Sequence, residues 1–221
     1  GHHAHWCELL VRTDPDAPKH RGISCLLVDM SLPGIDVRPL ITITGAHDFN
    51  EVFFDDVRVP ADAILGPEHE GWRVAMTTLA HERSGVAKLH LGTRAKVADL
   101  IAAAKAAPGR RAASAAEEPA IRQLLARVYL EGELMKLIAE RAISGELHGR
   151  PLGPESSIAK LVWSETDQHI GDVAAAVLGP EADTGRWGRD RVGSRQATIA
   201  GGTTQINKNI IAQRVLGLPR T

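Results

Sequence analysis

Gly66-Pro67-Glu68-His69-Glu70-Gly71 divides the chain, because the spacing of apolar residues differs on its two sides. Before it, short apolar runs are punctuated by turn residues. Trp6-Cys7-Glu8-Leu9-Leu10-Val11-Arg12 ends at Asp14-Pro15-Asp16-Ala17-Pro18, and Ser24-Cys25-Leu26-Leu27-Val28-Asp29 is closed by Pro33-Gly34. Ile35-Asp36-Val37-Arg38-Pro39-Leu40 alternates apolar and polar residues until the proline, as a half-buried strand does. Asn50 to Val57 is a fourth candidate strand, and Arg58-Val59-Pro60 lies beyond a tight turn.

After Gly71 the period becomes helical. An alanine-rich stretch runs to about Ala107 and is broken by Pro108-Gly109. A second helix is expected to begin near Glu117-Glu118-Pro119, where acids and proline suit a helix N-terminus. Its apolar positions Ile121, Leu124, Leu125, Val128, Met135 and Ile138 fall on one face. Gly145 to Gly153 reads as a loop, and Pro154 opens a third helix through Ile158, Leu161, Val162 and Ile170 to about Val177. Gly179 to Gly188 reads as irregular. A last helix follows Gly201-Gly202 through Ile206, Ile210, Ile211 and Val215, and Gly217-Leu218-Pro219 stops it. The expected fold class is α+β, with a partial antiparallel β-domain over 1–65 and an up-and-down helical bundle over 66–221.

Bulk properties narrow the function. The 221 residues are 43% hydrophobic and 24% charged, enough for a substantial core. The 26 basic and 27 acidic residues nearly cancel, so no charge excess points to nucleic acid or to an anionic membrane. No apolar run approaches the roughly 20 residues of a membrane span. No signal peptide is visible, and the expected location is cytoplasmic. Cys7 and Cys25 either pair or, more simply, are buried thiols. His2, His3, His5 and Cys7 lack the spacing of a metal site, and no metal is expected.

Several segments together resemble the acyl-CoA dehydrogenase family. Glu51-Val52-Phe53-Phe54-Asp55-Asp56-Val57-Arg58-Val59-Pro60 looks like the strand-and-turn signature before that family's C-terminal domain. Leu65-Gly66 and Glu70-Gly71-Trp72 resemble the opening of its first C-terminal helix, and Leu79-Ala80-His81-Glu82-Arg83 resembles a segment on that helix. Ile199-Ala200-Gly201-Gly202-Thr203-Thr204-Gln205-Ile206 resembles the terminal flavin-site motif, and Arg214 to Arg220 resembles the tail of one large subgroup. Each segment alone is weak, but their order and spacing across nearly the whole chain make the match specific. By this resemblance the chain begins inside the middle β-domain and runs through the C-terminal helical domain. The family's flavin-contacting Trp-x-Thr/Ser is not in it.

The resemblance implies α,β-dehydrogenation of an acyl-CoA thioester to the trans-2-enoyl-CoA. FAD is the implied cofactor, electron-transfer flavoprotein the electron acceptor, and a homo- or hetero-oligomer, dimer or tetramer, the assembly. A carboxylate must take the α proton in a water-poor pocket. One branch carries that carboxylate just before the Gly-Thr of the terminal motif, where this sequence has Gly201, which cannot act as a base. A second branch carries it on the first C-terminal helix before an arginine, which here is Glu82-Arg83. Glu82 is therefore the expected catalytic base, although a lone helical glutamate is more often a surface residue. Arg83 and Gly202 are implied substrate contacts, and Thr203, Thr204 and Gln205 implied FAD contacts. The expectation follows that Gly201 and the Glu82 carboxylate face one cavity. Two features depart from the family. Its Arg-x-x-Phe-Gly is replaced by Pro108-Gly109-Arg110-Arg111-Ala112, and its Gln-x-x-Gly-Gly by Ala175 to Pro180. Both normally reach the FAD of a neighbouring subunit, so the alternative is a non-catalytic partner subunit of such an oligomer.

Overall fold

The computed structural model describes residues 1–82, 85, 88–150 and 153–219, with side chains of the helix Gly71–Glu82 described as far as Leu79. The chain forms two compact units, Gly1–Glu82 and Arg83–Thr221.

In the first unit, β1 (Trp6–Arg12) pairs antiparallel with β2 (Ile23–Asp29), and β3 (Ile35–Leu40) pairs antiparallel with β4 (Phe49–Phe54). Along β1 the more buried residues are Cys7, Leu9 and Val11, the two-residue alternation of a strand with one covered face. The turn after β1 forms because Asp14 Oδ1 accepts from the Asp16 and Ala17 N–H groups, at 3.0 and 3.3 Å. In β2, Ser24, Cys25 and Val28 are buried. The returning chain seals them in, with Leu65 N–H donating to the Cys25 carbonyl at 2.8 Å and His69 N–H to Ser24 Oγ at 2.8 Å. Helix α1 (Gly71–Glu82) then lies against β2. Gly71 permits the approach, since a Cβ there would stand 2.3 Å from the Cys25 nitrogen. The thiols of Cys7 and Cys25 are free, and burial, with Glu8 beside them, pushes both thiol pKa values up. β4 stops before Asp55, three residues earlier than the apolar pattern suggested. Asp56 turns the chain with a left-handed φ of 46°.

The second unit is built on α2 (Leu89–Ala106), α3 (Pro119–Leu147) and α4 (Ser156–Leu178). Val97, Leu100 and Ala104 of α2 meet Leu125 and Val128 of α3 and Ile170, Val173, Ala174 and Val177 of α4. Alanines at the seam let the axes close, and fully buried Leu100 and Val128 each contribute on the order of 2 kcal/mol by leaving water. One end of the core takes the last turn of α2, the first of α3 and the last of α4, so successive helices alternate in direction. The α+β class with an up-and-down bundle is thus observed. Lys96 Nζ of α2 and Asp167 Oδ1 of α4 pair at 2.7 Å inside the bundle. α5 (Gly185–Ala197) and α6 (Thr204–Ile210) both pack on α4, and a π-helical turn, Ile211–Val215, follows α6.

Three expectations need correction. The stretch expected as one helix to Ala107 is two, α1 and α2. α3 continues to Leu147, past the expected loop start at Gly145. α5 was not anticipated, because Gly185, Gly188 and Gly193 interrupt it and it carries no apolar stripe. It is held by charge: Arg191 reaches Asp183 at 3.0 Å and Asp172 at 3.6 Å, and Arg186 reaches Asp99 at 2.7 Å.

Candidate functional site

The turn between α5 and α6 holds Gly201, Gly202 and Thr203, and the first two residues of α6 are Thr204 and Gln205, all five singled out in the sequence. Gly201 and Gly202 adopt φ of 65° and 91°, a region L side chains avoid. Thr203 caps α6, its Oγ1 accepting from the Ile206 N–H at 3.2 Å, and its own hydroxyl proton remains for a second partner. Thr204 Oγ1 and the Gln205 side-chain amide make no hydrogen bond among the described residues.

Residues not foreseen fasten this turn. The Gly202 carbonyl accepts from Lys160 Nζ of α4 at 2.7 Å and from Asn207 Nδ2 of α6 at 2.7 Å. Asn207 Nδ2 also donates to the Thr203 carbonyl at 3.0 Å. The Thr198 carbonyl accepts from the Thr204 N–H at 3.1 Å, and Gln168 Nε2 of α4 donates to Thr198 Oγ1 at 3.2 Å. Arg195 orients Gln168, donating to its Oε1 at 2.9 Å. Lys160 is only 6% exposed. Burial pushes its ammonium pKa down. In an amphipathic helix a lysine reads as solvated. Ser157 and Ser164, one turn away on either side, are buried with it, so this face of α4 is covered although its residues are polar.

The two segments that depart from the family pattern line one cavity of about 1030 Å³ at the other end of α4. Ala103, Ala106, Ala175 and Ala176 form its walls, and Arg110 and Arg111 stand at its edge. Both arginines are exposed, and neither guanidinium makes an ion pair among the described residues. The Arg111 N–H donates to the Glu118 carboxylate. Of the other expected site residues, Glu82 is described only as the last residue of α1, without its side chain, and Arg83 lies outside the described residues. The expectation of a cavity shared by Gly201 and the Glu82 carboxylate likewise rests outside them. Among the described residues no group of His, Cys, Asp and Glu is placed to hold a metal ion, and no helix is long and apolar enough to cross a membrane.

A family model of the acyl-CoA dehydrogenase C-terminal domain matches residues 69–216. This chain belongs to the acyl-CoA dehydrogenase family. It is 37% identical over 99% of its length to acyl-CoA dehydrogenase IpdE1 of Mycobacterium tuberculosis, covering 57% of that protein. Human mitochondrial short-chain specific acyl-CoA dehydrogenase is 32% identical over 90% of the chain, which covers 50% of it. Among solved structures, the ChsE4–ChsE5 complex of Mycobacterium tuberculosis superposes with a TM-score of 0.84 at 29% identity, over 100% of this chain and 59% of that one. The Tcur3481–Tcur3483 steroid acyl-CoA dehydrogenase superposes with a TM-score of 0.86 at 28% identity, over 99% of this chain and 58% of that one. The chain thus spans a little over half the length of these relatives. The family is flavin-dependent, and the turn fits such a cofactor in two respects. The glycine pair leaves backbone open to close approach, and Thr204 and Gln205 offer donors and acceptors unengaged among the described residues.

Proposed function

We propose that the protein containing this chain carries out flavin-dependent α,β-dehydrogenation of an acyl-CoA thioester to the trans-2-enoyl-CoA. The observation that carries this reading is the Gly201–Gln205 turn. It resembles the family's terminal motif, is fixed from two helices, and keeps the side chains of Thr204 and Gln205 unengaged among the described residues. Glu82 takes the α proton, with Arg83 holding its carboxylate or the thioester in place. Gly202 lies beside the substrate, where a side chain would obstruct it, and Thr203, Thr204 and Gln205 hold FAD. FAD, when bound, accepts the β hydrogen with its electron pair, and electron-transfer flavoprotein reoxidises it. The helical domain is taken to begin at residue 66, with residues 1–65 belonging to the middle β-domain.

Assembly belongs to the same reading. Leu130, Leu134 and Leu137 form an exposed stripe on α3, each more than half exposed, and a second helical bundle would cover it. The replaced segments around Arg110 and Ala175 favour a second reading, a non-catalytic subunit that completes an oligomer. Steroid-derived acyl groups are the first substrates to try, given the steroid acyl-CoA dehydrogenase among the structural relatives.

Glu82→Gln in the full-length protein tests the choice. It preserves shape and removes the base, so acyl-CoA binding is expected to persist while flavin reduction slows by on the order of 10²–10⁴-fold. Near-normal reduction by that variant would remove Glu82 from the mechanism. Paired with about one flavin per two chains in the oligomer, it would establish the partner-subunit reading.

A further inference from the structure

We propose that Lys160 is a positioning residue for this site, its buried ammonium fixing the Gly202 carbonyl and with it the turn that presents Thr203, Thr204 and Gln205. The proposal rests on the proposed function for what the turn does, but not for the fastening itself.

A buried ammonium is a poor choice for stability alone. Taking it out of water is costly, and no carboxylate pairs with it among the described residues. Its acceptor does not require it either, because Asn207 Nδ2 already donates to the same oxygen at 2.7 Å. An apolar side chain of similar length at position 160 would therefore leave no polar group stranded. What the ammonium adds is a constraint. Gly201 and Gly202 are consecutive glycines, a permissive stretch of backbone, and both have left-handed φ. A charge-assisted bond from α4, opposing the amide of α6, holds the Gly202–Thr203 peptide from two independent elements. It also polarises that peptide. The Thr203 N–H has no partner among the described residues, and drawing electron density toward the Gly202 oxygen makes it a stronger donor to whatever occupies the site.

The test uses the full-length protein in its native oligomer and compares Lys160→Met, Lys160→Arg and wild type. Three quantities are read: thermal midpoint, amide hydrogen exchange over residues 199–207, and the rate of flavin reduction by an acyl-CoA. Lys160→Met is expected to keep or raise the midpoint and to speed exchange in the turn by at least about 10-fold. Flavin reduction should slow by on the order of 10²-fold, since a small misplacement of site residues has that effect. Lys160→Arg should restore much of the rate, because it returns a cation to the carbonyl. Unchanged exchange in the turn would overturn the proposal. So would a lowered midpoint with faster exchange across α4 and α5 alike, which marks a purely structural lysine. If wild type itself reduces no flavin with any acyl-CoA, the proposed function fails. The exchange comparison still stands, and faster exchange confined to the turn supports Lys160 while unchanged exchange rejects it.

Discussion

The two ends of α4 are built on opposite principles. In its first half, Lys160 and Gln168 tie down a loop whose Gly202 and Thr203 carbonyls each accept from two donors. At its end, Ala175 and Ala176 face a cavity whose edge carries two arginines with no ion-pair partner among the described residues. Lys160 and Leu178 stand about 27 Å apart along the helix axis. One helix thus supports a turn that is over-determined and a space left unfilled. The first arrangement suits a site whose geometry must be fixed before a ligand arrives, since preorganised groups need no rearrangement at the moment of reaction. The second suits a surface that another molecule completes.

The contrast is sharpest in what single substitutions should do. Asn207→Ala is expected to have the largest effect, because Asn207 is 4% exposed and its amide serves both Gly202 and Thr203. Losing those bonds beside a buried cation should destabilise the helical unit by about 2–3 kcal/mol, read from urea denaturation. A loss below about 0.5 kcal/mol would mean that Lys160 alone is enough to hold the turn.

Gly202→Ala comes next. An L residue at φ 91° is strained, and its Cβ would stand 3.2 Å from Asn207 Nδ2. The expected loss is about 1–2 kcal/mol, with the flavin content of the purified protein reduced. Full retention of flavin with the same stability loss would separate the turn's structural role from its proposed binding role.

How much of this was legible in the sequence follows the same divide. The four strands appeared because each is a short apolar run between turn residues, and period-two burial in β1 is visible as Cys7, Leu9 and Val11. α3 and α4 appeared because their apolar residues repeat at helical spacing. α5 did not, since its helix is fixed by Arg186, Arg191 and Arg195 reaching acidic and amide groups on other elements, which leaves no local pattern. At the candidate site, Gly202 to Gln205 were visible as a motif. Lys160, Gln168 and Thr198 were not, because hydrogen bonds spanning 42 residues, from Lys160 to Gly202, and 30, from Gln168 to Thr198, carry no local signature, and Asn207, though local, lies just past the motif. The cavity was visible only as two departures from a pattern, Pro108 to Ala112 and Ala175 to Pro180. That they share one space is a consequence of helix direction, which residue spacing does not encode.

The smallest effect on stability, and the most telling test of the cavity, should come from Ala176→Leu. Adding bulk to a packed interior usually destabilises by about 1–3 kcal/mol. Ala176 is instead exposed and faces the cavity, so a leucine there has room. The denaturation midpoint of the variant is expected to lie within about 0.5 kcal/mol of the parent. If the cavity receives part of a neighbouring subunit or of the cofactor that subunit holds, the same leucine occupies space the oligomer needs. Sedimentation should then show weaker assembly, or absorbance near 450 nm should show less flavin per chain, without any loss of fold. A variant that assembles and holds flavin as the parent does would show that the unfilled end of α4 is bare surface. The replaced segments would then have lost the family's cross-subunit role, which favours the partner-subunit reading over a complete active site. An oligomer that loses flavin while Arg110→Glu gives the same result would tie both the alanine wall and the arginine edge to one ligand.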